Sequence, residues 1–161
     1  MPCFSELFDH ADSIQIDYNG YKVVLADKFP VNNGDTLLIS VEKTNSEYKQ
    51  GFSIDISGSC EYKGTLYKQK KGVKMLFWED TTPKKFELVI YSRQNYVWIQ
   101  NFWEAKNDMG TAFLDRAHNG AAMIVEEIEN GRRYRCNDIT PDDDFDDIIF
   151  TVCYAKQKNM S

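Results

Sequence analysis

The feature that most constrains this chain is a two-residue alternation of apolar and polar side chains, recurring along nearly its whole length and cut by two Asn-Gly pairs. A strand turns successive side chains to opposite faces, so alternation of this kind marks a ribbon buried on one side. Ile14, Ile16 and Tyr18 alternate with Gln15 and Asp17, Asn19-Gly20 follows, and Tyr21 to Ala26 is a second apolar run. Asn-Gly between two such runs predicts a hairpin, because both turn residues take positive φ. The second case is Ala121 to Ile128, then Asn130-Gly131, then Arg132 to Cys136.

Between the hairpins, a turn at Asn32-Asn33-Gly34-Asp35 launches a strand over Thr36 to Glu42. Phe52, Ile54 and Ile56 alternate with polar residues, and Val73, Met75, Phe77 and Phe86, Leu88, Ile90 do the same. Tyr96 to Trp103 is apolar on both faces, the pattern of a central strand covered on two sides. Ile148 to Tyr154 is β-branched and aromatic and reads as the closing strand. Helix signals are confined to Pro2 to Ala11 and to two turns over Thr111 to His118. Many short strands with punctuating turns predict an all-β, two-sheet antiparallel sandwich, jelly-roll-like, with one domain spanning 1–161. At 161 residues such a domain buries about 70% of its unfolded surface and folds without a metal or a disulfide.

The net charge of −6 is local. Six aspartates, Asp138, Asp142, Asp143, Asp144, Asp146 and Asp147, fall within ten residues, and without them the chain is neutral. That balance argues against a nucleic-acid partner. No apolar run approaches the ~20 residues that span a bilayer. The start, Met1 to Glu6, lacks the basic and apolar regions of a signal peptide, so the expected location is cytoplasmic, with a processed chain or unconventional export as the alternatives. Cys3, Cys60, Cys136 and Cys153 are widely spaced, which argues against zinc. They read as reduced thiols filling strand positions, with a Cys136–Cys153 disulfide as the competing arrangement.

The aspartate cluster is the segment most suggestive of a ligand. Carboxylates this close repel one another, and a cation, neighbouring arginines or full solvation must offset that. Calcium takes six to eight oxygen ligands in flexible geometry. If the loop is extended, Asp142, Asp144 and Asp146 project to one side, while Phe145 points to the core as an anchor. Asn137, Asp138 and Asp147 complete the candidate shell. The central glycine and terminal glutamate of an EF-hand are missing. The alternative is a solvated charged turn paired with Arg132, Arg133 or Arg135 on the adjoining strand.

The stretch from Gly120 to Ile128 together with Asp142 to Phe150 resembles the C-terminal part of an uncharacterised group of bacterial β-sandwich domains. Asp144 to Ile148 is similar to calcium-loop motifs that precede the last strand in other sandwich domains. That resemblance implies the fold and a calcium loop and carries no activity. Gly34 to Val41 followed by Phe52 to Ile56 resembles, loosely, a strand pair of galectin-like jelly rolls, whose His-Asn-Pro-Arg and Trp-Gly-x-Glu sugar-binding motifs have no counterpart here.

Three further groups bear on function. Tyr96, Trp98 and Phe102 share one strand face; Tyr96 and Trp98, with Trp78, are candidates for a sugar-stacking platform, Trp98 standing exposed beside Tyr91 if the opposite, aliphatic face is buried. Strand aromatics more often pack in a core. Glu79, Asp80 and Glu104 offer carboxylates near aromatics, as glycoside hydrolysis requires, but acidic residues at strand ends are common. The two histidines, His10 and His118, sit in no nucleophile motif, so an enzyme is not expected. Lys63, Lys68, Lys70, Lys71 and Lys74 surround Gly72 and read as a solvated loop that also blocks edge pairing, or as a weak site for an acidic partner. The sequence therefore points to a calcium-binding β-sandwich acting as a binding or structural module. A lectin-like carbohydrate binder and a metal-free protein-interaction domain are the alternatives.

Overall fold

The computed structural model describes residues 3–116, 120–138 and 144–155. A short helix, α1 (Phe4–Ala11), opens the chain and ends at Asp12, whose φ of 51° places it in the left-handed region. The first hairpin follows as expected, β1 (Gln15–Tyr18) and β2 (Tyr21–Val24), with Asn19 at φ 51° and Gly20 at φ 83°. Next come β3 (Asp27–Pro30), β4 (Thr36–Thr44), β5 (Gln50–Ile56), β6 (Gly58–Tyr62) and β7 (Thr65–Lys68). The chain continues through β8 (Val73–Trp78), β9 (Lys85–Ser92), β10 (Tyr96–Lys106) and β11 (Ala112–Asp115). The second hairpin is β12 (Ala122–Ile128) and β13 (Gly131–Asn137), but its turn is Glu129-Asn130 and not the expected Asn130-Gly131: Asn130 takes φ 62°, while Gly131 already pairs with Ile128. The last strand, β14 (Ile148–Tyr154), closes the fold.

The strands form two antiparallel sheets packed together, an all-β two-sheet sandwich. The larger sheet has nine strands in the order β1-β2-β12-β13-β14-β4-β9-β6-β7. The smaller has five: β11-β10-β5-β8, with β3 also paired to β10. Inward-facing residues of both sheets make the main core, among them Leu37, Ile39, Phe52, Ile54, Leu88, Ile99, Tyr134 and Phe150. Phe150 stacks between Phe52 of the facing sheet (4.1 Å) and Tyr134 of its neighbouring strand (5.1 Å).

A second cluster covers the outer face of the large sheet at one end. Phe4 and Phe8, four apart and hence on one side of α1, pack on Val23, Ala122, Ile124 and Phe145. Alternation explains the division: Met123 and Val125 of β12 belong to the inner core, and Ala122 and Ile124 to this outer one. No helix among the described residues is long and apolar enough to cross a membrane.

Two expectations are corrected. The segment expected to be helical over Thr111 to His118 contains β11, which pairs with the distal half of β10 through Trp103–Asp115 and Lys106–Ala112. Ladder pairing to a strand already in place outweighs a weak local helical preference. His118 lies outside the described residues. The disulfide alternative also fails: all four cysteines are free thiols. Cys136 stands opposite Ile148 and Cys153 opposite Gly131, so the two lie at opposite ends of the β13–β14 ladder.

Candidate functional site

Two regions gather the sequence-derived candidates, and they differ in kind. The first is the acidic loop, where β13 ends and the chain returns to β14. Asn137 and Asp138 are buried at the end of β13, and each is committed to holding the loop. The Asn137 side-chain oxygen accepts the Phe145 amide at 2.9 Å, while its carbonyl accepts Nδ2 of Asn101 on β10 at 2.8 Å. One carboxylate oxygen of Asp138 accepts from the Ser46 hydroxyl and from Gln50 Nε2, the latter at 3.1 Å. Asp147 accepts the Asp138 amide at 2.8 Å, closing the loop on itself. Asp146 takes Asn45 Nδ2 at 3.0 Å and Lys43 at 3.4 Å.

Phe145 is the anchor expected from the sequence, buried against Phe4 with ring centroids 5.2 Å apart. It is anchored, however, in the outer cluster beneath α1 and with φ of 52°. The chain around it is therefore not extended, and the simple alternation that would aim Asp144 and Asp146 the same way does not apply. Asp144 is exposed, and Asp142 and Asp143 lie outside the described residues.

The arginines on β13 have other partners. Arg132 donates to Asp27 at 2.8 Å and to Glu127 at 2.7 Å, Arg133 to Glu42 at 2.7 Å, and Arg135 lies 3.9 Å from Glu126. Asp27 is buried and also accepts the Tyr134 hydroxyl at 2.6 Å. Burial, together with the adjacent Asp27 charge, drives the Tyr134 phenol far above its ordinary pKa. Among the described residues no group of three or more His, Cys, Asp or Glu is placed to hold a metal ion.

The second region is the outer face of the five-stranded sheet. Val97 and Ile99 of β10 enter the core, so Tyr96, Trp98, Gln100 and Phe102 face outward, as do Ser53 and Asp55 of β5. The registers set these residues in rows. Trp98 stands opposite Asp55 and Asp55 opposite Lys74; Gln100 opposite Ser53 and Ser53 opposite Leu76; Phe102 opposite Gly51 and Gly51 opposite Trp78. The third row depends on glycine. A Cβ at Gly51 would lie 2.4 Å from the Phe102 ring and 2.6 Å from the Phe77 carbonyl oxygen. Phe102 thereby lies across the strand and meets Trp78 edge-on at 4.6 Å.

Only this end of β10 is covered as a doubly buried strand would be. Tyr96 and Trp98 are half-exposed and meet edge to face at 6.0 Å. The ammonium of Lys28 sits 4.6 Å from the Tyr96 ring centre and 5.3 Å from that of Trp98. Lys49 covers Trp78 in the same way at 4.6 Å. Tyr91, expected beside Trp98, belongs to β9 in the other sheet.

Polar groups surround the open aromatics. Asp55 keeps one carboxylate oxygen, Oδ1, buried with no hydrogen-bond partner, and its other oxygen faces Lys74 at 3.6 Å. Burial raises its pKa, and the charges of Lys74 and Arg116 oppose that rise. Arg116 also reaches Gln100 at 3.5 Å. Asp55, Gln100 and Arg116 escaped the sequence reading. Alternation puts Asp55 on a polar face, but only the β5–β10 register places it beside Trp98. The carboxylates near Trp78 do not form an open acid pair. Lys49 bridges Asp80 at 3.6 Å and Glu104 at 3.2 Å, and Glu79 lines a separate cavity of about 190 Å³.

No family model, no curated protein and no solved structure matches this chain.

Proposed function

We propose that the chain is a binding module, not an enzyme, and that its ligand face is the outer surface of the five-stranded sheet, where it takes a carbohydrate. The observation that carries this reading is the pairing of half-exposed Trp98 with Asp55, whose Oδ1 is buried and unpartnered. Buried polar atoms ordinarily find a partner, and a ligand hydroxyl is the kind of donor this oxygen accepts. Apolar pyranose faces stack on aromatic rings while their rim hydroxyls bond to carboxylate, amide and guanidinium groups, here Asp55, Gln100 and Arg116. Two strand spacings and four residues separate Trp98 from Trp78, roughly 16 Å on the diagonal, a span suited to a short oligosaccharide. The lysine over the tryptophan is a weak cover: exposed cation–π contacts contribute about 0.5–1 kcal/mol, which a stacking ring displaces.

The test titrates neutral oligosaccharides (cellohexaose, maltohexaose and chitohexaose) while following tryptophan fluorescence and amide shifts. Saturable binding that weakens about tenfold in Trp98→Ala, corresponding to about 1.4 kcal/mol, is the expected result. If no member of the panel perturbs the Trp98 strand, or if Trp98→Ala binds as tightly as the parent, the reading fails.

A second reading, calcium at the acidic loop, is favoured by Gln50. Its side chain is fully buried beside Asp138, and its Oε1 has no hydrogen-bond partner. A carbonyl oxygen next to a buried carboxylate suits a hard cation. Melts in EDTA, millimolar calcium and millimolar magnesium decide this. Saturation at about 100 times Kd stabilises by ~2.7 kcal/mol, and three coincident curves would leave the loop as a hydrogen-bonded closure with no metal.

A further inference from the structure

The lysine-rich segment after β7 borders a cavity of about 700 Å³ that the aromatic face does not explain. Its volume lies in the range of small-molecule pockets, about 300–1,000 Å³. Lys68 and Lys70 approach from one side, Arg93 and Tyr91 from the end of β9, and Ser59 and Asn33 complete the polar lining.

Fixed backbone frames this cavity. Gly58 starts β6 so close to β9 that a Cβ would stand 2.0 Å from the Tyr91 carbonyl oxygen, so no other residue fits. The Arg93 amide donates to the Ser57 carbonyl at 2.9 Å, tying the end of β9 to the same corner. Asn33 sits in the β3–β4 turn, which Gly34 closes at φ 90° and docks onto β9 by donating to the Ile90 carbonyl at 2.7 Å.

The charge there is one-sided. Lys22, Lys43, Lys49, Lys74, Arg132, Arg133 and Arg135 all hold acidic partners. Lys68, Lys70 and Arg93 hold none among the described residues, and no carboxylate lines the cavity. Three cations and no carboxylate line one concavity, in a chain of net charge −6, which makes a local field opposite in sign to that of the whole molecule.

We propose that this cavity binds an oxyanion ester, a phosphate or sulfate carried on a small organic group. Arg93 and the two lysines hold the oxyanion, the Tyr91 ring packs the organic part, and Ser59 and Asn33 bond its hydroxyls. The site lies on the other sheet from Trp98 and is independent of the reading given above.

Calorimetry of the intact chain with glucose 6-phosphate, glucose 6-sulfate and unesterified glucose tests it. Saturable binding of either ester, absent with glucose and weakened as sodium chloride rises from about 50 to 300 mM, is expected. The tighter ester identifies the source of the oxyanion. The double variant Lys68→Gln/Arg93→Gln should lose at least about tenfold in affinity with an unchanged melting temperature, since both side chains are exposed and unpaired. Lys106→Gln, outside the cavity, should bind as the parent does. Absence of saturable binding with both esters overturns the proposal, and so does undiminished binding in the double variant. Loss of ester binding there but not in Trp98→Ala separates this site from the aromatic face.

Discussion

Phe145 gives the sharpest test of how the acidic loop is held, because its side chain and its backbone make opposite demands. The ring is buried in the outer cluster against Phe4, in a residue whose φ is 52°. A fully buried phenylalanine covers about 200 Å², which at ~25 cal/mol per Å² bounds its contribution near 5 kcal/mol. Phe145→Ala leaves a void that a loop closes more readily than a strand does, so the expected loss is about 3 kcal/mol, the lower end of the usual range. For a chain of this length that is a fall of roughly 6–12 °C in Tm. The backbone enters through Phe145→Gly. At an ordinary position glycine is less stable than alanine by about 0.5–1 kcal/mol, but a left-handed φ costs a Cβ-bearing residue about 1–2 kcal/mol. Glycine here should therefore be more stable than alanine by up to about 1.5 kcal/mol. Urea unfolding of the parent and both variants, with a shared m-value, measures the two differences. A loss under about 1 kcal/mol in Phe145→Ala would refute the anchoring role. Phe145→Gly falling below Phe145→Ala would refute the left-handed backbone.

Three further outcomes follow from the same geometry. Gly51→Ala should destabilise by about 1–3 kcal/mol and alter tryptophan fluorescence, because the Phe77 carbonyl cannot retreat and Phe102 must leave Trp78; an unchanged spectrum would argue against the ring lying across β5. Arg132→Ala should cost about 3 kcal/mol in chemical denaturation, since it leaves the buried Asp27 carboxylate with the neutral Tyr134 hydroxyl and, at 3.8 Å, Lys22. Burial raises the Asp55 pKa above its ordinary 3.8, so its contribution to stability is present below that value and is lost as pH rises through the folded pKa. Asp55→Asn should therefore gain on the parent between about pH 3 and pH 7 in parallel melts, and a constant or shrinking difference would contradict the burial.

Much of the fold is legible because its signals are local. At Asn19-Gly20 the chemistry of the turn and the alternation of its flanks point the same way, and neither needs a distant partner. Thr111 to His118 reads as helical for the converse reason: β11 exists through its pairing with β10, and nothing in its four residues announces that ladder. The sites divide in the same manner. Phe145 as an anchor was visible between charged neighbours, whereas the hydrogen bonds of Asp138 to Ser46 and Gln50 join residues about ninety positions apart.

Taken alone, the sequence determined an antiparallel β-rich domain, the Asn19-Gly20 turn, the inward-facing residues of several strands and the concentration of acid before the last strand. Those properties follow from side-chain alternation and from the few residues that tolerate positive φ, which act within a handful of bonds. The tertiary structure alone decided that Trp98 meets Asp55, that the arginines of β13 reach Asp27, Glu42 and Glu126, and that Lys68 and Arg93 share a cavity. Each of these depends on which strands become neighbours and in what register. A one-residue slip would send every side chain of a strand to the opposite face, so that choice is made by the packing of the whole core, not by any local stretch.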